Sequence, residues 1–263
     1  MIALHLDAVG LAGPGLASWR DGVKVLADER AYRPGECPHC ASKLLPANER
    51  RRVSSTVRLA LKVAEEAMMN SSLAKEKVCS VFATCDGDTE VIDKICVALT
   101  QPERPVSPTQ FHNSVHNAAA GYWAIAARSP MPSTTVSAYH ASFVAGLLEA
   151  CAQLEVEARS VLLVVYDHPA PAPLAVCVGA HPPFAVAMVL SPDATAQSTP
   201  LHIETVSRQP VLGMQCEALE QLRVNNPAAA CLPLLRALAA GGASRVILAH
   251  VNDVQVAVDV ETR

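Results

Sequence analysis

Apolar and polar residues alternate along Ile2–Val9, the period of a strand with one face buried. Two short polar runs then lead to Pro46. Beyond it Val53, Val57, Leu61, Ala64 and Met68 recur every three or four residues, which predicts a long amphipathic helix. Val78–Ala83 reads as a strand, and Asp86-Gly87-Asp88 as a turn that caps the next helix. Val91, Ile92, Ile95 and Leu99 form that helix's apolar face. Gln101–Thr109 holds three prolines and is expected to be a loop, with helix resuming over Ser114–Arg128.

The second half opens with an expected strand over Thr134–Tyr139 that turns directly into a helix at His140. Phe143, Val144, Leu147, Leu148, Cys151 and Leu154 mark that helix's buried side. Ser160–Tyr166 is almost wholly aliphatic, as a strand covered on both faces should be. Extended segments are expected at Ala175–Gly179 and Phe184–Leu190, a weaker strand at His202–Val206, and a helix at Pro227–Ala240 ended by Gly241-Gly242. Arg245–His250 and Val254–Val260 flank Asn252-Asp253 and read as a β-hairpin. Residues 191–200 form a polar loop. The order of elements is a mixed β/α alternation closing on antiparallel strands, hence a layered α/β fold with a mixed sheet covered by helices.

Composition narrows the class. In 263 residues the net charge is −4, so no global basic field argues for nucleic acid. The longest apolar stretch, Leu174–Leu190, is broken by His181, Pro182 and Pro183 and is too interrupted to span a bilayer. The N-terminus lacks the basic start of a signal peptide. A soluble, cytoplasmic protein is the expectation. Of nine cysteines most lie in apolar segments, where a free thiol packs as a small hydrophobe. Cys37-Pro-His-Cys40 is the exception. No second ligand pair follows at zinc spacing, so no metal is assigned, and the motif reads as a loop feature with metal or redox chemistry left open.

Two segments could carry chemistry. In Ser107–Gly121, two histidines and two asparagines within six residues precede an all-small helical turn, so either a capped helix start or a polar site is built there. In Thr134–Gly146 a strand-to-helix junction falls at His140. Free N–H groups and the helix dipole stabilise negative charge at such elbows, which is why nucleophiles are found there. Asp86, Asp88 and Glu90 do not have calcium-loop spacing, and capping accounts for them. Nothing in the sequence assigns a role to His168 or His181.

On these residues the sequence resembles the ketosynthase branch of the thiolase-like superfamily, and most closely its short N-terminal-domain proteins, which include chain-length factors. Phe111-x-Asn113-Ser-Val-His116-Asn117-x-x-x-Gly121 matches the short family's signature. Val136–Ser142 is similar to the segment where ketosynthases carry their active-site cysteine, and Arg50-Arg51-Arg52 also fits. The resemblance covers about residues 1–205. It implies one domain over 1–263 with the fold of one half of a ketosynthase, plus a C-terminal helix and hairpin at 227–260.

The departures shape the expected function. In ketosynthases the elbow cysteine accepts the acyl chain, and two histidines from the second half support decarboxylation. Here His140 occupies the cysteine position, so no thioester can form on it, and the resemblance ends before that second half. The resemblance therefore implies a non-catalytic, chain-length-factor-type subunit that pairs with a full-length ketosynthase and shapes its acyl tunnel. The pathway would make a polyketide or fatty-acid-like polyene, such as an aryl polyene or xanthomonadin-like pigment. No resident cofactor is implied. The phosphopantetheine arm of acyl carrier protein would be a transient ligand. Val91, Ile95, Leu99, Phe111, His112 and Tyr122 are the expected tunnel and interface residues, and Arg50, Arg51 and Arg52 the expected carrier-protein contacts. His116, Asn117 and Ser142 would support the vestigial elbow. The alternative is a decarboxylase or acyltransferase on carrier-bound acyl groups, pairing His140 with Ser142 or His116. A stand-alone module that only binds acyl carrier protein is a third reading.

Overall fold

A computed structural model describes residues 1–40 and 42–261. In chain order the elements are β1 (Ile2–Ala12), α1 (Trp19–Ala27), α2 (Ala47–Arg50), α3 (Ser55–Asn70), β2 (Cys79–Ala83), α4 (Thr89–Leu99), α5 (Pro108–Asn113), α6 (Ala118–Ala127) and β3 (Ser133–Val136). The chain continues through α7 (Ser142–Glu157), β4 (Val161–Asp167), α8 (Ala172–Val178), β5 (Phe184–Ser191), β6 (Thr199–Ser207), α9 (Glu217–Asn225), α10 (Leu232–Ala240), β7 (Ser244–Ala249) and β8 (Val254–Val260).

Among the described residues eight strands join one mixed sheet in the order β3-β2-β4-β5-β1-β6-β8-β7. β2 pairs in parallel with β3 and β4, whereas the strands from β5 onward pair antiparallel. Two apolar layers hold it. On one face Phe82, Leu162, Val164, Ala185, Ala187 and Val189 meet α3 and α6. On the other, Val81, Leu163, Val165, Val186 and Met188 meet α7, and the same layer takes in Leu234, Leu235, Val246, Val256 and Val258 of the C-terminal elements. The strands β4 and β5 are buried along their whole length, which explains why their sequence is aliphatic without alternation. α3 lies close on β1 because Gly10 has no side chain: a Cβ there would sit 2.1 Å from the Val63 carbonyl oxygen.

Several expectations hold with shifted ends. β1, α3, β2, α4, β4, β5, β6 and the β7–β8 hairpin lie where the periodicity puts them. Asp88 caps α4, its carboxylate accepting from the Val91 N–H at 3.1 Å. Three segments differ. Ala175–Gly179, expected to be extended, lies mostly in α8. Pro171 and Pro173 at its start preset helical φ, and none of its residues is buried, so no sheet partner competes. Pro227–Ala240 is two pieces, a 3₁₀ turn at Pro227–Cys231 and then α10. Helix 114–128 begins only at Ala118, while α5 takes up the end of the expected loop.

Candidate functional site

The chain leaves β3 at Val136 and does not run straight into a helix. A 3₁₀ turn at Tyr139–Ala141 intervenes, with Tyr139 held at a left-handed φ of 54°. Such a backbone is uncommon for a side chain other than glycine and is held here by Ser142. That hydroxyl accepts from the Ala138 N–H at 3.0 Å and donates to the Tyr139 carbonyl at 2.7 Å. Ser142 is fully buried, so its hydroxyl is a brace for the turn. His140 is exposed and stacks edge-on against Tyr139, ring centroids 4.1 Å apart. Its ring borders a cavity of about 300 Å³ with Val144, Arg223, Pro227, Ile247 and Leu248. The expected elbow is therefore present, one turn looser than the pattern suggests.

His116 and Asn117 stand elsewhere. They are exposed and border a separate cavity of about 440 Å³ between α6 and β3, with Ala120, Gly121, Ala124, Ser133 and Thr135. His116 thus borders a different cavity from His140, and the Ser142 hydroxyl is engaged by the backbone of the turn. Asn117 occupies the position before α6, but its side chain makes no cap hydrogen bond. The buried member of the motif is Asn113. Its amide donates to the Arg52 carbonyl at 2.7 Å, and its Oδ1 accepts from the Tyr122 hydroxyl at 2.9 Å. One side chain so ties α5, α6 and the segment before α3 together. His112 rests edge-on against Tyr122.

Of the remaining expected residues, Val91 and Tyr122 are interior and Ile95 is half-buried. Leu99 and Phe111 are exposed, Phe111 to 70%. α4 packs on both α5 and α8, so Ile92, Val97, Leu99, Phe111 and the 88%-exposed Val176 lie on neighbouring helices with their apolar side chains in solvent. Arg50, Arg51 and Arg52 are all exposed. Arg50 is partly spent on the Leu45 carbonyl and Arg52 pairs with Glu49 at 3.7 Å.

Pattern reading missed a polar cluster at the C-terminal ends of the parallel strands β2 and β4. Asp167, the last residue of β4, is buried, and its Oδ1 accepts from the Cys85 N–H at 2.7 Å and the Thr84 hydroxyl at 2.9 Å. Its Oδ2 has no partner. Burial pushes this carboxyl up to about 7, against which the two hydrogen bonds work. Asp88 is also raised by burial, and burial holds the neighbouring His168 below the ordinary imidazole range. Behind them Asn226 donates to the Pro182 carbonyl at 2.8 Å and meets Nδ1 of the buried His181 at 3.0 Å. The cluster is linked to the elbow, because the Ser137 hydroxyl donates to the Cys85 carbonyl at 2.9 Å.

Cys85 is the thiol on that link. It donates to Asp86 at 3.2 Å, and burial together with Asp86 and Asp167 pushes it well above the usual thiol range. Cys151 on α7 is raised by burial to about 12. Neither is an activated nucleophile, since the thiolate is the reacting form. Among the described residues no group of His, Cys, Asp and Glu could hold a metal ion, and no helix is long and apolar enough to cross a membrane.

Solved structures place the fold. The chain superposes with a TM-score of 0.75 on a chain of the ketosynthase (ApeO) in complex with its chain length factor (ApeC) from Xenorhabdus doucetiae, at 24% identity over 98% of this chain and 100% of that one. A TM-score of 0.73 relates it to the ishigamide ketosynthase/chain length factor, at 13% identity over 100% and 99% of the two chains. AntDE:AntF, a type II polyketide synthase acyl-carrier protein in complex with its ketosynthase, gives 0.78 at 9% identity over the whole of both chains. No curated protein matches the sequence. The layered, mixed-sheet architecture is that of the thiolase-like ketosynthase fold. The family model for the N-terminal domain of beta-ketoacyl synthases matches residues 25–248, past residue 205 and into β7. By that match the chain belongs to the beta-ketoacyl synthase N-terminal domain family.

Proposed function

We propose that this chain is a non-catalytic, chain-length-factor-type subunit that pairs with a full-length ketosynthase and shapes its acyl tunnel in polyketide- or fatty-acid-type synthesis. The carrying observation is the elbow. His140 stands at the junction where the resemblance puts the nucleophile, Ser142 is committed to the turn, and burial and the neighbouring acids favour the protonated form of Cys85. Structural neighbours that are ketosynthases with their chain length factors support the pairing.

An unpaired sheet edge supports it as well. β3 is an edge strand of only four residues, and beside it α6 turns Ala120, Gly121 and Ala124 to an open cavity. Small side chains permit close backbone approach, and an unpaired edge invites another strand. The exposed apolar residues of α5 and α8 lie on helices that both contact α4, which carries exposed apolar residues of its own. On this reading Leu99, Phe111 and Ile95 face the shared tunnel with His112 beside them, and Val91 and Tyr122 back that wall from inside. Arg50, Arg51 and Arg52 meet an acidic carrier protein, whose phosphopantetheine arm is a transient visitor. An aryl polyene or xanthomonadin-like pigment is the product class we favour, and the cytoplasm the compartment.

The test is reconstitution with the co-purifying ketosynthase and acyl carrier protein. His140→Ala should leave product yield unchanged, whereas Phe111→Ala should lengthen the product. Loss of activity in His140→Ala, with a pH profile near histidine's range in the wild type, would overturn the non-catalytic assignment in favour of a His-dependent decarboxylase or acyltransferase.

A further inference from the structure

A cavity of about 800 Å³ opens where the first part of the chain meets the last. The end of α1 and the 3₁₀ turn at Glu29–Ala31 line it from one side, the loop before α9 from another, and α10 with β7 from a third. It shares only Pro233 with the cavity at His140 and no residue with α4, α5 or α6. Leu26, Leu212, Pro233, Ala237 and Val246 supply its apolar lining. A cavity of that size with apolar walls and a few convergent polar groups has the make-up of a small-molecule site.

The polar groups are cationic, although the chain as a whole carries −4. Arg30, Arg33, Arg236 and Arg245 all border the cavity. Arg30 pairs with Asp28 at 3.2 Å and Arg236 with Glu29 at 3.1 Å. Arg245 lies between Glu204 and Asp259, neither of which borders the cavity. Arg33 donates only to the Arg30 and Tyr32 carbonyls, and among the described residues no acid pairs with it. One guanidinium charge is therefore left uncompensated, which suits a monoanion better than a doubly charged phosphate. Arg236 is held in place beside it. The buried Glu29 carboxylate accepts from the Cys216 N–H at 2.7 Å and from Nη1 of Arg236, which also donates to the Gly213 carbonyl at 3.1 Å. Both of these bonds use one nitrogen, so a fixed guanidinium keeps further N–H groups for a carboxylate.

We propose that this cavity binds a small amphipathic carboxylate, its head taken up by the arginine rim with Arg33 foremost and its apolar body lying along Leu26, Pro233 and Val246. The site is built from both ends of the described chain, so an occupant ties the α1 segment to α10 and β7.

The test titrates the protein calorimetrically with octanoate and, as the uncharged counterpart, with octanol. Octanoate should bind saturably at one site, and octanol should bind more weakly by about tenfold or more. Arg33→Gln, a change at an exposed side chain, should weaken octanoate binding by a similar factor. Hydrogen exchange of the wild type with octanoate should slow over residues 26–33 and 212–216. Three results would overturn the proposal. They are no saturable binding of octanoate, equal affinity of the wild type for octanoate and octanol, and slowed exchange confined to α4 and α5. All three are read on the wild-type chain, so none depends on a variant folding.

Discussion

Replacing Asp167 by Asn should change how stability depends on pH. The carboxyl lies at the end of β4 with one oxygen accepting hydrogen bonds from the Thr84 hydroxyl and the Cys85 N–H and the other without a partner, and burial raises it from 3.8 to about 7. A carboxyl raised in the folded state keeps a proton that the unfolded chain loses. Its contribution is therefore complete below about pH 4, declines as pH rises and is gone above about pH 7. Roughly three units at 1.36 kcal/mol each give a ceiling of about 4 kcal/mol lost across that window. The amide keeps both accepted hydrogen bonds on Oδ1 and cannot ionise. It brings a buried N–H₂ at a cost of about 1–3 kcal/mol. At about pH 8 the variant should then be as stable as the wild type or more so, and at about pH 4 less stable. Denaturant unfolding of both proteins across that range reads the difference directly. Asp88 and Glu66, also raised, and Asp7 and Glu220, lowered, cancel in it because they are common to both. A difference that is flat with pH, or that favours the wild type more as pH rises, would refute the reasoning.

Other consequences can be read with simple assays. Asn113→Ala strands the Tyr122 hydroxyl and the Arg52 carbonyl and should cost about 1–3 kcal/mol by denaturant unfolding, while Tyr122→Phe costs about 1 kcal/mol. Gly10→Ala drives a methyl into the Val63 carbonyl and should destabilise by about 1–3 kcal/mol, visible as a lower Tm. Phe111→Asp, on an exposed side chain, should leave unfolding stability within about 0.5 kcal/mol of the wild type and weaken ketosynthase capture in a pull-down. Glu29→Gln should cost several kcal/mol, because Arg236, 3.1 Å from that buried carboxylate, loses its counter-charge; thermal unfolding measures it.

What was legible in the chain follows from range. β1, α3, β4 and the β7–β8 hairpin are set by periodicity and turn chemistry within about ten residues, and they fall where the pattern places them. α8 misled because Leu-Ala-Val-Cys-Val looks like strand, while its two prolines and its lack of any buried residue decide for helix. α1 and α9 went unread, since each hides in a mixed segment whose buried residues answer to distant partners: Leu219 and Leu222 to the central layer, Gly22 to the Leu11 side chain. The same holds for the site. A strand-to-helix junction near His140 is readable locally, but the braced turn depends on Ser142 reaching back to Ala138 and Tyr139. Asp167 meets Thr84 and Cys85 across more than eighty residues. A single acid ending an otherwise aliphatic run is the only local signal for it.

The most direct test of the central claim is a pull-down of the tagged chain from its native host, with the eluate sized and its subunits identified. The account predicts a one-to-one complex with a full-length ketosynthase. A clean monomer or homodimer with no ketosynthase bound would contradict it, and His140 would then be examined as a catalytic group.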